Sequence, residues 1–237
     1  MDGWTSAVRH QVGLGRLLPL GGARDGAWIA EEAAKGVLRE AVGEVPGVRL
    51  GVLRVAPVDP ADADEPVVPP PPSGLPPGPL RVTADFAASP VEPLPATAAR
   101  LRHALATAAV ERLGLTVTRV DLRVTDLLER GEPVPRAAAS PALPSAGPPL
   151  TGEEALAAEA ALSVPGVTGM TGALGRAVRL ETYEATTGAA LPHRHARVEI
   201  VVRADHRAVE VARRVRETVR TALPDHPTVT VLVTGVN

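Results

Sequence analysis

The chain of 237 residues contains no cysteine, has only 2% aromatic residues, and has a single lysine, Lys35. The absence of cysteine excludes disulfide bonds, thiolate zinc sites and cysteine nucleophiles. So few aromatic rings argue against the base-stacking surfaces of proteins that bind single-stranded nucleic acids. With 25 basic and 27 acidic residues the formal net charge is -2. We therefore expect no nucleic-acid partner and no anionic lipid surface as partner, because both require clustered positive charge.

The chain also lacks the segments that direct a protein into or through a membrane. Its first residues, Met1-Asp2-Gly3-Trp4, carry no basic stretch followed by an apolar run and a cleavage site of the secretory kind. No uninterrupted apolar run approaches the ~20 residues that cross a bilayer. We expect a cytoplasmic protein without direct membrane insertion.

Two proline-rich tracts divide the chain. Residues 57–79 contain ten prolines and residues 131–149 contain six. Because proline fixes φ and removes a hydrogen-bond donor, neither tract is predicted to lie inside a helix or strand. We therefore expect an N-terminal segment (1–24), a first unit (25–130) interrupted by the insertion at 57–79, a linker (131–149) and a second unit (150–237).

The two units share short sequence landmarks. Val45-Pro46-Gly47-Val48 recurs as Val164-Pro165-Gly166-Val167, and Thr116-Val117-Thr118 recurs as Thr228-Val229-Thr230. The landmarks come in the same order and at similar spacing in both units. This repetition indicates an internal duplication.

Apolar periodicity predicts the same five elements in each unit. In the first unit we expect a helix capped by Asp25 that contains Trp28 and Ile29 and stops before Pro46, followed by strands, a helix and a strand at about 48–56, 80–86, 93–113 and 117–127. In the second unit the corresponding helix, two strands, helix and strand lie at about 151–163, 178–185, 196–203, 205–223 and 228–236.

Each unit is therefore helix-strand-strand-helix-strand, and the predicted fold class is α+β. A strand-helix-strand connection within one sheet is right-handed and makes its two strands parallel, so the first strand joins most simply by antiparallel pairing. Each unit would then be a small mixed three-stranded sheet with both helices on one face. A sheet of this size needs a partner for its other face or its edge, either the sister unit or a second copy of the chain.

Several residues of the first unit match a known pattern: Trp28-Ile29-Ala30, Val45-Pro46-Gly47-Val48, and the run from Pro93-Leu94-Pro95 through Leu113-Gly114-Leu115 into Val120-Asp121-Leu122-Arg123-Val124. Through them the first unit resembles the alkaline shock protein family, the bacterial envelope stress response proteins. The resemblance covers roughly residues 25–128, and the second unit is similar to a divergent copy. It implies a non-enzymatic, cytoplasmic protein without a cofactor, which associates with itself or, in some relatives, with a small membrane-anchored protein partner.

No constellation of residues predicts a catalytic site, and none predicts a complete metal site. His193 and His195 point the same way in an extended chain, but a metal needs a third ligand, for which only Glu184 or Glu199 is near in sequence. The favoured interpretation is a solvated turn that enters a strand.

Glycines 166, 169, 172 and 175 recur at every third residue and invite interpretation as a phosphate-binding loop. Such a loop is followed by a lysine or by a helix whose N-terminus meets the anion, whereas here a strand follows. The spacing is also similar to the GxxG loop of KH domains, but no basic residue lies between the first three glycines. A flexible turn is the favoured interpretation.

The candidate partner-binding residues are apolar residues in or near the N-terminal segment, namely Trp4, Leu14, Leu17, Leu18 and Trp28. They would either dock a protein partner or pack onto the first unit. Packing is favoured, because termini are ordered only when they are tied down. Two functions from different classes remain open: protein–protein interaction or self-association near the cell envelope, and sensing of a small molecule bound between the paired units.

Overall fold

The structure is a computed structural model that describes residues 15–128, 149–183 and 193–237. The helices and strands of these ranges follow in chain order: β1 (Leu17–Leu20), β2 (Ala27–Ala30), α1 (Glu31–Gly43), β3 (Val48–Pro57), β4 (Leu80–Ala88), α2 (Leu94–Thr107), β5 (Val117–Leu127), α3 (Gly152–Leu162), β6 (Val167–Met170), β7 (Val178–Tyr183), β8 (His193–Val202), α4 (Ala208–Ala222) and β9 (Thr228–Val236). A π-helical turn, Ala108–Leu113, continues α2, and a short 3-10 turn, Pro60–Asp62, lies in the proline-rich insertion.

The strands form two mixed sheets. In the first sheet, ordered β3-β4-β5, β3 is antiparallel to β4 and β4 is parallel to β5. In the second sheet, β6 and β7 both pair antiparallel with β8, and β8 is parallel to β9. The α+β class and the three-stranded mixed sheet of the first unit are therefore confirmed. The second unit departs from the predicted helix-strand-strand-helix-strand order and from the predicted three-stranded sheet, because β6 adds a strand between α3 and β7.

The second sheet has six strands because the hairpin β1–β2 joins it. β1 is antiparallel to β2, and β2 is parallel to β9, the last strand of the chain. The prediction of a helix that is capped by Asp25 and contains Trp28 and Ile29 is therefore wrong, since α1 begins at Glu31. A short apolar segment fits a helix or a strand equally well, and here pairing with a distant strand decides for the strand.

The turn after the first helix is equivalent in the two units. Gly47 and Gly166 both adopt left-handed backbone, with φ of 72° and 97°. Each also accepts a 2.8 Å hydrogen bond at its carbonyl oxygen, from the N–H of Ser89 and of Arg203 respectively. Both donors come directly after the strand that precedes the second helix of the unit, which is β4 in the first unit and β8 in the second. The first sequence landmark thus marks the same position in both units.

A bulge in the last strand is also equivalent. The pairing shifts after Phe86 in the first sheet and after Ile200 in the second, which leaves Thr125 and Thr234 as the extra residues. The Thr125 hydroxyl donates to the Phe86 carbonyl at 3.3 Å, and the Thr234 hydroxyl donates to the Ile200 carbonyl at 3.1 Å. When the bulges are aligned, Thr228 corresponds to a residue other than Thr116, so the second sequence landmark is a coincidental match.

One continuous hydrophobic core joins the two units. It contains side chains from the inner face of each sheet and from all four helices. Where α2 and its π-helical turn end against α4, Gly114 has φ of 89°, and a Cβ atom there would lie 2.2 Å from a Val209 methyl carbon. The Gly114 carbonyl also accepts a 2.9 Å bond from the Gly21 N–H. Glycine therefore ends the helix as predicted and permits the close approach of the two units.

The proline-rich insertion of the first unit covers the face of the second sheet that lies opposite its helices. We call residues 67–75 the strap. The Trp28 indole N–H donates to the Leu75 carbonyl at 2.8 Å, and the Thr230 hydroxyl donates to the Pro69 carbonyl at 2.9 Å. Val68 packs in a small buried cluster with Trp28 and Leu232. The strap supplies carbonyl acceptors and apolar cover, neither of which needs the donors that proline lacks.

Candidate functional site

Three of the five predicted partner-binding residues are buried. Leu17, Leu18 and Trp28 are 1%, 0% and 1% exposed. Leu17 and Trp28 belong to the cluster beneath the strap, and Leu18 belongs to the main core. These three residues are therefore core residues, and their assignment to a docking surface is corrected. Trp4 and Leu14 lie outside the described residues.

Among the residues that the structure describes, the first sheet is covered on one face only. Its inner side chains, such as Val82 and Phe86, are fully buried against the core. Its outer face is open to solvent and carries charged side chains of both signs: Arg49, Arg54, Arg81, Asp85, Arg119, Asp121, Arg123 and Asp126. The second sheet, in contrast, has helices on one face and the strap on the other.

Ion pairs between neighbouring strands arrange part of this outer face. Arg123 binds both carboxylate oxygens of Asp85, at 2.9 and 3.0 Å, and this hydrogen bonding lowers the pKa of Asp85. The Arg81 Nε atom lies 3.6 Å from an Asp121 carboxylate oxygen. Exposed pairs of this kind contribute little to stability. Their effect here is to present an ordered pattern of alternating charge.

β5 forms the open edge of the first sheet. Its side chains on the core side are incompletely covered: Val120 and Leu122 are half-buried, whereas Val124 and Leu127 are 39% and 54% exposed. Within the described ranges no strand pairs with its free side, and one backbone acceptor on that side, the Val120 carbonyl, is bonded by Arg102 at 3.3 Å. An exposed edge strand of 11 residues is a template for pairing with another strand.

The charge alternation of β5 is readable in the sequence, where Arg119, Asp121 and Arg123 alternate with apolar residues. This alternation predicts a half-buried strand and nothing more. It becomes a candidate interaction surface only because the tertiary structure leaves β5 at an edge.

A second group of polar side chains surrounds Glu199 in the middle of β8. The Glu199 side chain is completely buried. Its carboxylate oxygens accept the Leu174 N–H at 3.1 and 3.2 Å and the Thr171 hydroxyl at 3.5 Å. Burial raises the pKa of Glu199 to about 7, because removal from water disfavours the charged form.

The glycine-rich loop between β6 and β7 holds this carboxyl group. The Thr171 N–H donates to the Glu199 carbonyl at 3.3 Å, and the Glu199 N–H donates to the Ala177 carbonyl at 2.8 Å. Gly175, with φ of 105°, makes a turn that favours glycine. The loop does present backbone donors to an acidic group, but that group is the chain's own Glu199, so these donors are not free for an external phosphate.

His195 and Arg197 continue the group along the same face of β8. His195 is nearly buried, and its Nδ1 lies 2.8 Å from the Thr228 hydroxyl. Burial lowers the pKa of His195 to about 4. The Arg197 guanidinium is only 11% exposed and lies 4.0 Å from Glu199. Its Nε is buried and has no hydrogen-bond partner within the described ranges, and burial lowers the pKa of Arg197.

The pair His193 and His195 does not assemble a metal site with a described residue. The two rings lie on the same side of β8, as the sequence predicted, and both contact the Tyr183 ring, with centroids 5.9 and 5.8 Å apart. Glu199 is enclosed by the glycine-rich loop, and Glu184 lies outside the described residues. Within the described ranges, no three His, Asp or Glu side chains are grouped to hold a metal ion.

A cavity of about 220 Å³ lies in the first unit, between the Pro46-Gly47 turn and the start of α2. Ser89, Thr97 and Arg100 provide part of its polar lining. Arg100 is engaged by Glu92 in an ion pair. The lining contains no histidine, and its one carboxylate is in this ion pair, so it offers a hydroxyl group no adjacent base.

Comparison with known proteins adds no assignment to this geometry. No protein-family model matches the chain, and a search of curated proteins gives no match. The resemblance to the alkaline shock protein family therefore stays a prediction. In the part of the chain that the structure describes, no helix combines the length and the apolar character needed to span a bilayer.

Proposed function

We propose that this protein acts by protein–protein interaction through its first sheet, without making or breaking covalent bonds. The observation that carries the proposal is the unequal cover of the two sheets. In the described parts of the chain, the second sheet is buried under helices and the strap, whereas the first sheet leaves a charged face and the β5 edge open to solvent. Protein surfaces of this kind accept a partner strand or a complementary charged face.

We also propose that the protein is alkaline-shock-like and works in the cytoplasm near the cell envelope, through self-association or a membrane-anchored protein partner. The support is the sequence resemblance over roughly residues 25–128, together with the unit architecture predicted from the same sequence. The equivalent turns at Gly47 and Gly166 and the equivalent bulges at Thr125 and Thr234 support an origin by duplication.

Affinity capture from separated membrane and soluble fractions of the native cell tests this proposal. The bait is compared with an Arg54→Glu/Arg119→Glu variant, which changes the outer face of the first sheet. An Arg214→Glu/Arg220→Glu variant changes the charge equally on α4 and is the matched control. We expect one protein from the membrane fraction to be captured by the unchanged bait and the control, and lost from the first variant. Capture of a soluble metabolic enzyme alone, or equal capture by all three baits, contradicts the proposal.

A second candidate function, small-molecule sensing, is favoured by the Nε of Arg197, which has no hydrogen-bond partner among the described residues. This guanidinium lies on the second sheet, across from Arg179 and near His195, rather than between the two units as the sequence suggested. A small carboxylate or phosphate is the ligand class that such a group binds. A thermal-shift screen with anionic metabolites at constant ionic strength tests it, because a ligand selective for the folded state raises the melting temperature. A rise that persists in Arg197→Gln excludes this site.

A further inference from the structure

We propose that two copies of the chain pair through β5. The two strands run antiparallel about a twofold axis at Leu122, so that the two first sheets join into one sheet of six strands. This inference rests on the proposed function, because it names a partner, a second copy of the chain, and the surface that binds it.

The charges of β5 are complementary to themselves in this register. With Leu122 at the twofold axis, Asp121 of each copy lies opposite Arg123 of the other, which gives two opposite-charge pairs on the outer face. Val120 lies opposite Val124 on the core face, and Arg119 lies opposite the neutral Thr125. The pattern therefore favours this register on both faces of the joined sheet.

The neighbouring registers that keep apolar residues on the core face bring like charges together. If the axis passes through Asp121, that residue faces its own copy and Arg119 faces Arg123. If the axis passes through Arg123, two arginines face each other at the centre. If the axis passes between two neighbouring residues, each charged residue of one copy lies opposite an apolar residue of the other. The charged outer face of one sheet would then continue into the apolar core face of the other. Leu122 is thus the centre that the charge pattern selects.

The direction of the backbone groups agrees with a Leu122 centre. The Leu80 N–H donates to the Thr116 carbonyl at 2.8 Å, and Leu80 pairs with Val117. From this hydrogen-bond pattern and the register of the two strands, the N–H and C=O groups of Val120, Leu122 and Val124 point away from β4. The two Leu122 residues at the axis can then form a hydrogen-bonded antiparallel pair, in which each N–H donates to the C=O of the other residue.

The incompletely covered side chains of β5 lie where a second copy adds cover. Val124, which is 39% exposed, would lie beside Val120 of the other copy. Arg102 bonds the Val120 carbonyl in the single chain and would have to release it on pairing. Arg102→Ala is therefore expected to leave dimerisation unchanged or strengthen it.

Charge-reversal variants of the full chain test the proposal by sedimentation velocity at a series of concentrations. Asp121→Arg and Arg123→Asp each place two like-charge pairs in the dimer, and we expect each to weaken the dimer by about tenfold or more. In an equimolar mixture of the two variants, the two substituted side chains lie opposite each other with opposite charges, and so do the two unsubstituted ones. We expect this mixture to form a heterodimer. The mixture also controls for folding, since misfolded chains would not be rescued.

Arg54→Asp is the matched control, because it makes the same charge change on the same face but on β3. It is expected to dimerise like the unchanged chain. The proposal is overturned by a monomeric unchanged chain at all concentrations, by single variants that dimerise normally, by a mixture that stays monomeric, or by loss of the dimer in Arg54→Asp. A monomer that still captures a membrane-fraction protein through the outer face would refute this inference and leave the proposed function standing. A dimer without such capture would support this inference and the self-association form of the proposed function, and would refute the membrane-anchored partner.

Discussion

Glu199 and His195 are expected to give the stability of the fold opposite dependences on pH. The pKa of Glu199 is raised to about 7, and the pKa of His195 is lowered to about 4. Between about pH 4.5 and 6.5, unfolded chains have lost the Glu199 proton that folded chains keep, so this residue makes stability fall as pH rises. Over the same range unfolded chains keep a His195 proton that folded chains have lost, so that residue makes stability rise.

The two effects are similar in size. Each contributes a little over 1 kcal/mol per pH unit, which amounts to about 2–3 kcal/mol over these two units of pH. Because their signs are opposite, they nearly cancel in the unchanged chain. Its unfolding free energy should therefore depend only weakly on pH in this range.

Removing one group should reveal the other. In Glu199→Gln the amide oxygen can still accept the Leu174 N–H, and the unfolding free energy is expected to rise by about 2–3 kcal/mol from about pH 4.5 to 6.5. In His195→Asn it is expected to fall by a similar amount over the same range. The measurement is urea unfolding at constant ionic strength and several pH values, with linear extrapolation to water.

Glu217→Gln on the exposed side of α4 is the control and should leave the profile of the unchanged chain intact. Parallel profiles for the unchanged chain, Glu199→Gln and His195→Asn would refute the reasoning. They would mean that neither side chain is removed from water as the structure places it.

Two further predictions concern packing between the units. Gly114→Ala places a Cβ atom 2.2 Å from a Val209 methyl carbon, in left-handed backbone, and should lower the unfolding free energy by about 2–4 kcal/mol. Gly22→Ala is its control, because a Cβ atom there meets nothing within 4 Å. Equal losses of stability in denaturant unfolding of the two variants would contradict this packing. Trp28→Phe removes the hydrogen bond to the Leu75 carbonyl and should lower the unfolding free energy by about 1–3 kcal/mol. Amide hydrogen exchange should become faster only in the strap and the residues that contact it. Uniformly faster exchange would contradict a local role for this hydrogen bond.

Elements with a clear local period were predictable from the sequence. The last strand of the first unit was expected at 117–127 and is β5, Val117–Leu127. The last helix was expected at 205–223, and α4 spans Ala208–Ala222. Their apolar residues recur at the spacing of a strand or a helix, because each element buries one side of itself whatever lies against that side.

The segment around Trp28 was not predictable in the same way. Its short apolar run fits either kind of element, and its partner strand β9 lies at the other end of the chain. The proline-rich insertion was expected to interrupt the first unit, but no local pattern indicates that the strap covers the second sheet. Both outcomes depend on which surfaces meet after folding, and a local period carries no information about that.

The same distinction applies to the candidate sites. The sequence by itself determined that His195, Arg197 and Glu199 alternate with Ala196, Val198 and Ile200, and so that β8 has one polar and one apolar face. Only the tertiary structure decided that Glu199 on the polar face is enclosed by the glycine-rich loop, while the similar charges of β5 stay in water. Side-chain direction along a strand is fixed by backbone geometry, whereas exposure to water, and with it pKa and access to a partner, is fixed by what packs on top.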